Sequence, residues 1–174
     1  MSEASAALNR PLWGATFGQA VSRFFRKYST FRGRASRSEY WWVALFLFLI
    51  TLVPNALLVA GVTIGVQSAL ELREPVSMGA NLDDSTLIGY SQPGIFADPT
   101  AMLLITLGSV IGGLIVLAII VPSLALTWRR LHDAGLGGPW FFLTLIPGVG
   151  GFFLLALMLQ PAKKEGRRFD VPLA

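Results

Sequence analysis

Apolar residues recur at helical spacing from Leu12 to Tyr28. Leu12, Trp13, Thr16, Phe17, Ala20, Val21, Phe24, Phe25 and Tyr28 gather on one side, and Gln19, Ser22, Arg23 and Arg26 on the other. The pattern predicts an amphipathic helix with Asn9 as N-cap and Pro11 in the first turn, where a missing N–H costs nothing. A broad aromatic face with a narrow basic strip suits a helix lying in a headgroup layer. After it the periodicity vanishes. Trp41 to Val66 carries no charged side chain and runs for roughly 25 residues, against the ~20 that cross a bilayer's hydrocarbon. A second uncharged run extends from Ala101 to Thr127. Pro54 and Pro122 lie inside these runs, and membranes tolerate such a kink where neighbours satisfy the freed carbonyl.

The polarity between the runs sets an expected path. Residues 67–100 are broken by Pro75, Pro93 and Pro99 and hold Glu71, Glu74, Asp83, Asp84 and Asp98 against Arg73, which predicts an acidic loop with little regular structure. Arg23, Arg26, Lys27, Arg32, Arg34 and Arg37 precede the first run, and Arg129 and Arg130 follow the second. Lys and Arg collect on the cytoplasmic side, so segment 1–40 and connection 128–139 are assigned inside and 67–100 outside, with transmembrane helices at 41–66 and 101–127.

A third apolar run, 140–160, is just long enough to cross, but Pro147-Gly148-Val149-Gly150-Gly151 breaks its middle. A kinked crossing is the preferred path and sends the basic tail 161–174 outside. A re-entrant hairpin is the alternative and keeps Lys163, Lys164, Arg167 and Arg168 inside, where the charge rule prefers them. The expected fold is therefore an all-α integral membrane protein: an N-terminal interfacial helix followed by three transmembrane helices, the third kinked or re-entrant at Pro147–Gly151. Gly61 with Gly65 and Gly108 with Gly112 form Gly-x-x-x-Gly pairs that would let the first two helices, or two copies of the chain, approach closely.

Composition narrows the chemistry. Hydrophobic residues make up 53% and charged residues 14%, where a soluble domain has about a quarter charged. There is no cysteine, which excludes disulfides, thiolate metal sites and a cysteine nucleophile. The first apolar run begins too late for a cleavable signal peptide. The net charge of +4 is spread over the ends of the apolar runs and forms no stripe, so nucleic acid is not an expected partner. No nucleophile elbow, phosphate-binding loop or dinucleotide fingerprint occurs. One histidine cannot build a metal centre of several imidazoles and no acidic cluster lies on the inner side, so no metal or other cofactor is expected.

Two charged blocks remain. Arg129, His132 and Asp133 are spaced i, i+3 and i+4, which puts them on one helical face where Asp133 would fix the tautomer of His132. Arg34, Arg37 and Glu39 lead into the first run, and Glu39 is expected to pair with an arginine of its own segment or with Arg129 or Arg130. Together Arg34, Arg37, Glu39, Arg129, Arg130, His132 and Asp133 form the candidate polar, anion-binding cluster, with Trp41, Trp42, Trp128 and Trp140 as interface anchors. An ordinary positive flank, with Gly135 ending the helix, accounts for the same residues structurally.

The order Phe31-Arg32-Gly33-Arg34-Ala35-Ser36-Arg37-Ser38-Glu39-Tyr40-Trp41, then Arg129-Arg130-Leu131-His132-Asp133, then Trp140, Pro147 and Gly150, then Gly166-Arg167-Arg168-Phe169-Asp170, closely resembles the DUF805 family of small bacterial inner-membrane proteins. The amphipathic preamble looks like that of longer actinobacterial members. The resemblance implies a helical, multi-pass protein of the bacterial plasma membrane with a cytoplasmic N-terminus, and no established activity. The expected work is non-enzymatic: binding of anionic membrane lipid, or of a membrane partner or second copy, through the basic cluster. A small transporter or channel subunit acting as an oligomer is the alternative, and a membrane enzyme using His132 as general acid or base comes third.

Overall fold

The computed structural model describes residues 10–71, 74–77, 88–91 and 94–170. Four α-helices are described: α1 (Phe17–Arg26), α2 (Arg37–Glu71), α3 (Pro99–Asp133) and α4 (Gly150–Leu159). Two 3₁₀ segments, Gly138–Leu145 and Lys164–Phe169, flank α4. Two short strands, β1 (Glu74–Ser77) and β2 (Ile88–Ser91), pair antiparallel with Glu74 opposite Ser91. The expected structureless 67–100 loop is thus shorter, because α2 runs on to Glu71, α3 begins at Pro99 and a hairpin stands between them. Among the described residues the fold is helical apart from that strand pair.

Helix α1 is shorter than the Leu12–Tyr28 pattern suggested. It starts after Thr16, whose hydroxyl accepts the Gln19 N–H while the Gln19 side chain accepts the Thr16 N–H. This reciprocal capping box sets the start, and Pro11 lies outside the helix. Asn9, the expected cap, lies outside the described residues.

Helices α2 and α3 have 35 residues each, a rise of about 52 Å at the helical step. Both are long and apolar enough to cross a membrane, and only 11% and 6% of their most apolar stretches are buried. A core helix of a soluble protein would bury most of that surface, so these side chains are matched to an apolar surrounding.

The chain divides into two compact units, one drawn from Ile50–Ile115 and the other from the chain on either side of it. In the first, the glycines of α2 and α3 receive the neighbouring helix instead of meeting one another. A Cβ on Gly61 would lie 2.8 Å from the Ile105 side chain, and one on Gly108 would lie 2.9 Å from Leu58 and from the Pro54 carbonyl. Gly112 stands near the Pro54 ring, and a Cβ on Gly65 would run into the Ile95 carbonyl. Asp98 caps α3 by accepting the Ala101 N–H at 2.8 Å.

In the second unit, Ala15, Ala20, Phe24, Ala35, Val43 and Leu126 form a buried apolar cluster that joins α1 to the start of α2 and the end of α3. Phe17 and Phe25 of α1 stand edge-on to Phe46 of α2, and Phe17 to Trp42. The third apolar run does not form one helix. Its α-helical part has 10 residues, about 15 Å, roughly half of what a crossing needs. Gly148 has a φ of +80° at the break, and Gly150 sits where any Cβ would strike the Leu143 carbonyl. The 3₁₀ segment and α4 therefore fold against each other. Both ends of the run come to the C-terminal end of α3. Gly138 lies against the Trp128 ring, and the Met158 and Gln160 carbonyls accept hydrogen bonds from Arg130. The run thus folds back on itself as a hairpin.

Candidate functional site

The charged residues of the second unit sort into two nests around the end of α3. That end closes as a Schellman motif: the Leu136 N–H reaches the Leu131 carbonyl at 2.9 Å and the Gly135 N–H the His132 carbonyl at 3.0 Å, with Gly135 at φ +79°. Arg129, Arg130, His132 and Asp133 are all buried in this last turn.

The first nest is built on Asp133, which is fully buried. Arg130 donates to its Oδ2 at 2.7 Å, and Arg34 approaches its Oδ1 at 3.5 Å. Arg130 is also fully buried and spends its remaining donors on Met158 and Gln160, the open carbonyls at the end of α4. Arg34 forms a two-pronged pair with Asp170, Nε to Oδ1 and Nη2 to Oδ2, both at 2.7 Å. That carboxylate holds the Arg34 guanidinium above its ordinary pKa. Two cations face two carboxylates, so the nest is balanced.

The tail completes it. Lys163 donates its backbone N–H to the Asp133 carbonyl at 2.9 Å, Gly33 donates to the Phe169 carbonyl at 3.1 Å, and Arg168 donates to the Gly135 carbonyl at 3.2 Å. Gly166 packs so close to the His132 carbonyl that a Cβ would collide with it. Phe169 stacks flat on His132, with ring centroids 3.9 Å apart and planes at 5°. His132 Nδ1 lies 3.0 Å from the Gly33 carbonyl, an acceptor only, so Nδ1 carries the proton and Nε2 the lone pair. The Gly33 carbonyl, and not Asp133, therefore sets the tautomer. Asp133 serves the arginines, and its helical partner is Arg130 at i−3 instead of Arg129 at i−4.

The second nest is built on Glu39, 2% exposed. Its Oε2 accepts the Ser36 N–H at 2.9 Å while Ser36 Oγ accepts the Glu39 N–H at 3.2 Å, the capping box that starts α2. Oε2 also takes the Leu12 N–H at 3.2 Å, and Oε1 takes Arg23 of α1. The partner is thus an arginine of Glu39's own 1–40 segment and not one of the Arg-Arg connection. Arg129 lies in the field of Glu39 and Arg23; its Nε is bonded to the Ala125 carbonyl at 3.1 Å, and its buried Nη2 has no acceptor. Lys27 lies in the field of Arg129, Arg23 and Glu39. Burial, reinforced by those two arginines, lowers its ammonium pKa to about 7. Three cations here share one carboxylate.

Of the seven cluster residues named from sequence, Arg34, Arg130, His132 and Asp133 meet in the first nest, and Glu39 and Arg129 in the second. Arg37 is exposed and makes no hydrogen bond or ion pair among the described residues. Missed were Arg23, Lys27, Phe169 and Asp170. Arg23 and Lys27 carried a signal, lying on or just beyond a helix whose apolar face had to pack somewhere. Among the four tryptophans expected as interface anchors, Trp41, Trp42 and Trp140 are exposed, whereas Trp128 packs on Gly138 and edge-on to Phe31. Among the described residues no group of three or more His, Asp or Glu side chains is placed to hold a metal ion.

Two long apolar helices that leave their surface uncovered, ending in buried ionic nests, define a membrane protein. A family model described as a protein of unknown function, DUF805, matches residues 28–171, and the chain belongs to that family. No curated protein and no solved structure matches it. Helix α1, with Arg23 and Lys27, lies ahead of the matched segment.

Proposed function

We propose that this protein lies in the bacterial plasma membrane with the nest-bearing end on the cytoplasmic face, where it binds anionic lipid. Helices α2 and α3 are the two crossings. The 3₁₀–α4 hairpin is re-entrant and returns the tail to the side it left. Its breaker-rich turn is the part that needs cover from protein or headgroups. Helix α1 lies in the headgroup layer, burying Ala20 and Phe24 in the protein while its Phe17 and Phe25, and the flanking Trp13 and Tyr28, stay exposed. Trp41, Trp42 and Trp140 suit the same level.

The observation that carries the reading is the coincidence of this exposed aromatic set with a surplus of buried cations in the same compact unit. An anionic leaflet supplies the missing negative charge, attracting each nearby Lys or Arg by about 1 kcal/mol. The test is native mass spectrometry of the intact protein carried from detergent into mixtures of phosphatidylglycerol and phosphatidylcholine. Retention of phosphatidylglycerol at several times the level of phosphatidylcholine is expected, and equal retention rejects the reading.

A further inference from the structure

Charge is not answered evenly across the site. In the Glu39 nest the ionisable side chains that face one another are Arg23 from α1, Lys27 just after it, Glu39 from α2 and Arg129 from α3. Glu39 already accepts from Leu12, Ser36 and Arg23. Among the described residues nothing acidic is left for the other two cations. Arg129 is 1% exposed and Lys27 5%, and Arg129 Nη2 is a buried donor without an acceptor. A buried ion lacking a counter-ion is among the costlier features a fold can hold, and it is relieved by an anion with several acceptor oxygens. Phosphate meets that description: a guanidinium grips two of its oxygens and an ammonium acts as a point charge beside them. The other nest offers no such vacancy, because Asp133 and Asp170 satisfy Arg34 and Arg130.

We propose that Lys27 and Arg129 form the seat of one phosphate group, that of an anionic lipid headgroup. Arg23, the least buried of the three cations, stands at its edge. The proposal rests on the lipid-binding reading above and narrows it to one place and one chemical group. It also explains what α1 contributes, since the element that lies ahead of the family match brings the lysine to an arginine of the family core.

The experiment compares the intact protein with Lys27→Met, Arg129→Gln and a control, Lys164→Gln, an exposed tail residue. Each is titrated with phosphatidylglycerol, phosphatidylcholine and inorganic phosphate, with bound species counted by native mass spectrometry and melting followed in parallel. Lys27→Met is expected to lose phosphatidylglycerol retention tenfold or more while melting no lower than the parent, since it removes a buried charge and keeps the packing. Lys164→Gln is expected to change neither. If Lys27→Met folds and retains lipid like the parent, the seat is wrong although the protein still prefers anionic lipid. If the parent itself shows no preference for phosphatidylglycerol, both readings fail together. Inorganic phosphate that binds at the seat and excludes phosphatidylglycerol overturns the lipid as its source.

Discussion

Arg129 and Arg130 are neighbours in the sequence, equally buried, and face opposite fates. Arg130 finds a carboxylate and two open helix-terminal carbonyls, whereas Arg129 finds one carbonyl of its own helix and a carboxylate already taken. A buried ion pair is a weak source of net stability, because desolvation offsets most of the attraction, but its loss is severe once one partner remains. The Asp133 nest therefore reads as a lock that fixes how the tail and the hairpin return to α3. The Glu39 nest has the same ingredients in a different ratio, and its surplus cations are what make it receptive. The difference between structural and receptive charge here lies in stoichiometry more than in residue type.

The comparison breaks most visibly at Asp133. Asp133→Ala leaves Arg130 fully buried with its carboxylate gone, and the expected loss is about 3–5 kcal/mol. Thermal unfolding in detergent reads it. Pairing the change with Arg130→Met should recover a large part of the loss, as expected when the damage comes from an uncompensated charge. Lipid retention by the folded fraction should not change, since the other nest is untouched.

A smaller effect is expected at Gly166. A Cβ there would strike the His132 carbonyl and come within 3.2 Å of the Asp133 carbonyl, so Gly166→Ala must push the tail away at about 1–3 kcal/mol. Hydrogen exchange should show the Lys163 N–H, bonded to Asp133, losing protection while the middle of α3 keeps its own. Uniform loss of protection along α3 would mean that the tail is no separate clasp.

Much of this was legible in the residues. Long uncharged runs, a charge asymmetry about them and a glycine after His-Asp are local signals, and local signals survive without tertiary knowledge. The convergence of the Arg34 and Asp133 segments followed from the antiparallel path alone. The Ser36-Arg37-Ser38-Glu39 capping box is also readable, as a Ser-x-x-Glu ahead of an apolar run, but the charge of Glu39 points first to an ion pair and hides its capping role. Other features were not legible. Hydropathy gives the length of the 140–160 run but not its direction after Pro147, and the return is fixed by Arg130 reaching Met158 and Gln160, 28 and 30 residues away. Lys27 looked like flanking charge because burial of a lysine depends on which elements fold over it. The hairpin was hidden by Pro75 within β1.

The finest distinction between the nests lies in how Lys27 answers pH. Its folded pKa near 7 lies below the ordinary 10.5, so from about pH 7 to 10.5 the unfolded chain holds the proton more often than the folded one. Without lipid, stability should therefore rise with pH across that window, by less than about 1.4 kcal/mol per unit, and be lowest below pH 7, where the buried ammonium stays charged against Arg23 and Arg129 with Glu39 as its counter-charge. Lys27→Met should remove that part of the slope. A phosphate in the seat raises the pKa of Lys27, so binding takes up a proton and retention must weaken as pH climbs above 7, opposite in sign to the stability of the empty protein. Melting and phosphatidylglycerol retention measured together from pH 6 to 10 read both signs. Parallel trends in the two would mean that the lipid lies elsewhere and that the surplus cations only burden the fold.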